Sequence, residues 1–82
     1  MIELSAQFVA EMVGKGLRGE MPLKDISEWA WDRHWRYERG EEHFEAGKED
    51  VLFEVIVALA SGAAEGCILT DKVLRDMLKK LQ

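Results

Sequence analysis

Val51-Leu52-Phe53-Glu54-Val55-Ile56-Val57-Ala58-Leu59-Ala60 is the stretch whose reading decides the fold. Its apolar residues point in nearly every direction around a helix axis, while the β-branched Val55-Ile56-Val57 would also suit a buried strand. A strand needs a partner, and no second convincing strand stands elsewhere in the chain, so the helical reading prevails. The helix is expected to start at Glu49, with Asp50 near its positive dipole end, and to close at Ser61. Being apolar almost all round, it belongs in the middle of the molecule. Since about 20 apolar residues are needed to span a bilayer, the stretch reads as core and no membrane partner is expected.

Toward the N-terminus, Phe8, Val9, Met12, Val13 and Leu17 recur at three- and four-residue spacing, the stripe of an amphipathic helix over about 5–18. Gly19 supplies its stop. Gly14 and Gly16 weaken that helix and are best tolerated where another element approaches its backbone. Pro22 suits the first turn of a second helix over 23–38, whose Asp25 and Glu28 favour its N-terminal end. From Arg39 to Asp50 the apolar pattern lapses, with Gly40 and Gly47 around Glu41 to Ala46, and this segment reads as a connection or a very short helix.

Beyond Ser61, residues Ser61-Gly62 and Gly66 bracket a turn, and Cys67-Ile68-Leu69 forms an apolar link. Thr70 is placed as N-cap of a last helix over 71–81, with Val73, Leu74, Met77, Leu78 and Leu81 as its stripe. The expected architecture is therefore all-α, a small bundle of four helices at about 5–18, 23–38, 49–61 and 71–81. Eighty-two residues make one domain, 1–82, because two separate cores would each be too small to hold themselves together. A chain of this size buries only about 60% of its unfolded surface, so self-association as a homodimer is a fair expectation.

The net charge of −5 argues against nonspecific attraction to nucleic acid and suits basic partners. Arg33, Arg36 and Arg39 recur every three residues, yet Asp32, Glu38, Glu41 and Glu42 interleave with them, so no nucleic-acid face is expected. The single cysteine permits no internal disulfide, and with no signal-like apolar run the expected setting is the reducing cytoplasm. Cys67, with no basic neighbour to activate it, reads as a small packed residue. His34 and His43 lie near Glu38, Glu41 and Glu42, but no HExxH or paired ExxH pattern is present, so neither a metal nor any other cofactor is expected. The serines and glycines form no nucleophile elbow or phosphate loop, and the chain reads as non-enzymatic. A metal-dependent enzyme using His34 and His43 is the weakest reading, and bound stoichiometric metal would be its requirement.

What stands out is Trp29-Ala30-Trp31-Asp32-Arg33-His34-Trp35-Arg36-Tyr37, which holds all three tryptophans. At about 100 degrees per residue, Trp31 and Trp35 share a helix face while Trp29 lies roughly 200 degrees from Trp31. Trp29 is expected in the core; for Trp31 and Trp35, core and interface both stand open. Aromatic and arginine side chains are enriched at the centres of protein interfaces. Trp31, Trp35, Tyr37 and Phe44 are therefore the candidate anchors of a partner, with Glu41, Glu42 and Glu45 as candidate steering acids.

The sequence Leu17-Arg18-Gly19-Glu20 at the end of the first helix, followed by Ile26-Ser27-Glu28-Trp29-Ala30, an apolar helix and a short last helix, resembles small uncharacterised helical proteins of bacteria. Some of these look like immunity proteins encoded beside polymorphic toxins. The resemblance runs from about Phe8 onward, and the charged, aromatic Arg36 to Gly47 region departs from it. It implies a bacterial immunity-type inhibitor that binds a basic toxin domain; the alternative is a homo-oligomeric structural or regulatory domain.

Overall fold

The computed structural model describes residues 2–62 and 69–81. In order they form β1 (Ile2–Leu4), α1 (Ala6–Leu17), α2 (Leu23–Glu38), β2 (Glu42–Phe44), α3 (Glu49–Ser61) and α4 (Asp71–Leu81). The four helices fall where hydrophobic periodicity places them, and the apolar stretch at 51–60 is helical. The Cys67 and Gly66 readings lie outside the described residues.

Helix ends explain the boundaries. Ser5 caps α1 by accepting a hydrogen bond from the Phe8 amide at 3.1 Å, and the Thr70 hydroxyl accepts from the Val73 amide at 3.2 Å. The two C-termini of α1 and α2 use one device. Arg18-Gly19-Glu20 and Arg39-Gly40-Glu41 each place a glycine at positive φ, +73° and +75°. In each, the glycine and glutamate amides then turn back onto the last helical carbonyls: Gly19 to Gly16 and Glu20 to Lys15, Gly40 to Tyr37 and Glu41 to Arg36.

The architecture is the expected small all-α bundle of four helices, to which a short two-stranded sheet is added. β1 and β2 pair in parallel with Ile2 opposite Glu42, Glu3 opposite His43 and Leu4 opposite Phe44. Parallel strands require a crossover, and here α1 and α2 together supply it. Three residues are too few for alternation to be legible, and the partner lies some forty residues away, so neither strand declares itself locally. The segment read as a connection thus contains β2, which turns Glu42 and Phe44 inward and His43 outward.

The core gathers Leu4 and Phe44 from the strands, Val9 and Val13 from α1, Ile26 and Ala30 from α2, Leu52, Val55, Ile56 and Leu59 from α3, and Leu74, Met77 and Leu81 from α4. The largest helix contact is α2 on α3, the next α1 on α4. Small residues permit the first. Ser27 and Ala30 face α3, and the buried Ser27 hydroxyl points its single proton at the Leu59 and Ala60 carbonyls, 2.8 and 2.9 Å away, at the end of that helix. At Gly16 an added Cβ would stand 2.7 Å from Ile26 Cδ1, so close approach of α2 accounts for that glycine. Gly14 meets only the guanidinium end of Arg18.

Two burial expectations change. Phe8, placed in the α1 stripe, is 44% exposed, because Ala6, Val9, Met12 and Val13 fill the buried face and leave it at the margin. α3 is not covered all round either. Leu52, Val55, Ile56 and Leu59 are buried, but Phe53 is 40% exposed and Val57 half-buried on the side that continues the tryptophan face. Among the described residues no helix is long and apolar enough to cross a membrane.

Candidate protein-binding surface

The three indoles of α2 meet different surroundings. Trp29 is half-buried against the core, its ring 5.8 Å from Phe8 and the Arg33 guanidinium 5.8 Å from its centroid. Trp31 and Trp35 lie on the far side of the helix, 48% and 53% exposed, with ring centroids 5.9 Å apart and planes within 19°. The pair is therefore not part of the buried core. The pair is stacked along one face and turned to solvent.

His34 sits under this pair. Its ring lies 5.6 Å from Trp31, 6.2 Å from Trp35 and 5.9 Å from Phe53 of α3. Its Nε2 approaches Glu38 Oε1 at 3.8 Å, and its buried Nδ1 has no hydrogen-bond partner among the described residues. Tyr37 then links Phe53, at 6.0 Å, to Phe44, on which it stacks at 4.3 Å with planes 5° apart. The aromatic system therefore runs from the buried strand β2 through α2 to the surface. Beside Trp31 it leaves a hollow of about 60 Å³, lined by Trp31, His34, Val57, Ala60 and Ser61.

The acids expected to steer a partner are placed otherwise. Glu42 is buried, its side chain 1% exposed, and binds Arg33 Nη1 at 2.7 Å. Phe44 is a core residue. Glu45 is half-buried and accepts the Ala6 amide at 3.1 Å, holding the start of α1. Glu41 is exposed, but Arg39 engages it at 2.8 Å, and that hydrogen bond and charge hold its carboxyl below the usual range. Glu42, Phe44 and Glu45 are thus spent within the fold, because β2 docks on the core instead of forming a solvent loop. Tyr37 is half-buried and supports the face from behind. Of the seven sequence-selected residues, only Trp31 and Trp35 come together at the surface.

The carboxylates that do border the face are Glu28 and Glu38. With Trp31 and Trp35 they stand at helical spacings of three, seven and ten from Glu28, one stripe along α2. Both are exposed. That spacing is readable from sequence, whereas the contributions of Phe53 and Val57 required the packing of α3. The arginine row has no free positive face. Arg33 binds Glu42, Arg36 binds Asp32 at 2.9 Å and Arg39 binds Glu41. His34 and His43 serve different neighbourhoods, the first among the aromatics and the second 3.7 Å from Glu3 across the strand pair. Among the described residues no three histidine, cysteine or acidic side chains are grouped as a metal site. No protein-family model, curated protein or solved structure matches this chain.

Proposed function

We propose that this chain is a non-enzymatic protein-binding module, an immunity-type inhibitor that covers a basic toxin domain with the α2–α3 aromatic face. The observation that carries the reading is the exposure of two stacked indoles in a domain small enough to need all the apolar burial it can make. Rigid aromatic area of this kind concentrates binding energy at interface centres, and an acidic chain speeds encounter with a basic partner. The stack of half-buried Tyr37 on buried Phe44, continued through Phe53 to His34, supports the reading by anchoring the face to the core.

The test is purification of the tagged chain with its native partner, followed by mass spectrometry and light scattering of the complex. The reading expects a stoichiometric basic polypeptide whose toxic activity is blocked by the wild-type chain, and loss of both binding and blocking in the folded Trp31→Ala/Trp35→Ala variant. A variant that still protects, or a wild-type chain recovered only as multiples of its own mass, overturns it.

A further inference from the structure

We infer that the exposed stripe of α2 formed by Lys24, Glu28, Trp31, Trp35 and Glu38 pairs antiparallel with the same stripe of a second copy, Lys24 of each copy against Glu38 of the other. The pairing goes beyond the inhibitor reading and does not depend on it. Where both hold, a toxin domain gains the face by separating the two copies.

Spacing makes the stripe a seam. Its five residues follow one another at intervals of four, three, four and three, the heptad spacing of paired helices, and they lie within about 80° of the α2 circumference. All five are exposed. Charge then sets the direction. Lys24 has no ion pair among the described residues, and Glu38 has only the distant His34 contact at 3.8 Å. Trp31 stands seven residues from each of them. A twofold axis at Trp31 therefore brings two Lys24–Glu38 pairs together in antiparallel copies, whereas parallel copies oppose Lys24 to Lys24 and Glu38 to Glu38. The antiparallel register also sets Trp31 on Trp31 and Glu28 beside Trp35 of the other copy, whose indole N–H can donate to the carboxylate. Flanking charges agree with it. Asp25 falls near Arg39 of the other copy, and Asp32, close to the axis, is engaged by Arg36 of its own chain at 2.9 Å.

Area sets the strength. Half of each indole and two-fifths of Phe53, which continues the face on α3, amount to about 300 Å² per copy, against about 800 Å² per partner in a stable interface. The stems of Lys24, Glu28 and Glu38 add to this, while the net charge of −5 on each copy opposes approach, so the dimer is weak and reversible.

The experiment is sedimentation of the full chain from about 1 μM to about 500 μM. The wild-type chain is expected to pass from monomer toward dimer across that range, and Trp31→Ala/Trp35→Ala, with its helicity retained by circular dichroism, to stay monomeric. Lys24→Glu and Glu38→Lys each put like charges at both ends of the seam and are expected to weaken dimerisation at least about tenfold. The swap Lys24→Glu/Glu38→Lys is expected to return it to within about threefold of wild type, and an equimolar mixture of the two single variants to form a mixed dimer. A wild-type chain that is monomeric throughout overturns the inference and leaves the inhibitor reading standing. A dimer that survives the tryptophan variant lies on another face and overturns it too. A dimer that needs the tryptophans but ignores the single charge reversals, or that the swap fails to restore, overturns the antiparallel register.

Discussion

The two sides of α2 are built from the same residue types and put them to opposite uses. Toward the sheet, Trp29 and Arg33 are closed in by Phe8 and by the buried Glu42. Toward solvent, Trp31 and Trp35 stack on each other, and among the described residues no arginine or lysine lies over either ring. On one side the aromatic and the charge complete each other within the molecule. On the other, the two indoles complete each other and face solvent. The comparison teaches that an arginine beside a tryptophan is not evidence of a binding surface until the arginine's own partner is known.

The largest expected effect tests the inner side. Phe44→Ala removes the strand's anchor and the floor under Tyr37, and denaturant unfolding should show a loss of about 4 kcal/mol. A loss below about 1 kcal/mol would mean that β2 does not hold the aromatic system in place.

Next comes the ion pair. Arg33→Ala leaves the Glu42 carboxylate buried without its counter-ion, a cost of about 3 kcal/mol. The pair itself is only partly satisfied, since Arg33 Nε and Glu42 Oε1 have no hydrogen-bond partners among the described residues. Replacing both, as Arg33→Met/Glu42→Leu, should therefore return stability to within about 1 kcal/mol of the original or above it. A double variant as unstable as the single one would show that the pair contributes more than mutual neutralisation.

The outer side should behave in the opposite way. Trp31→Ala/Trp35→Ala is expected to cost about 2 kcal/mol of folding stability, because half of each indole is already solvated and what is lost is their mutual stacking and their packing on His34. A cost as large as that of Phe44→Ala would mark the pair as core and remove the contrast.

The smallest effect concerns the exposed Arg39–Glu41 pair at the end of α2. The Glu41 carboxyl is depressed in the folded chain, so its contribution is present above the carboxyl's unfolded pKa and is lost as pH falls through the folded one. Arg39→Ala should move the Glu41 titration midpoint upward in an NMR titration, with little change in unfolding. An unmoved midpoint would mean the pair is not formed in solution.

Sequence made the helices legible because α1 and α4 carry periodic stripes, α3 a long apolar run, and α1 a glycine stop at Gly19. The strands and the site were legible only in part. Glu45 caps a helix thirty-nine positions before it, and Glu42 finds Arg33 only once β2 is laid against the core. Nothing within a few residues of either glutamate distinguishes it from a solvated acid. Trp31 and Trp35 could be assigned to one face from phase alone, but whether that face was covered depended on where α3 and α4 came to rest. Phase did place Glu28 and Glu38 beside them, a signal outweighed by the denser acids at 41–45.

The chain's connectivity also bears on how the molecule opens. β1 reaches its partner across two helices, and α1 packs on α4 from the opposite end of the chain. By contrast α2, β2 and α3 are consecutive, and they contain Trp31, His34, Trp35 and Phe53. Contacts with short loops close faster, and α2 on α3 is also the largest helix contact, which makes it the pair expected to open last. Amides of α2 and α3 should thus exchange with deuterium later than those of α1 and α4. The aromatic face would assemble early and persist through fraying of both termini, so that a tethered or truncated end need not silence it.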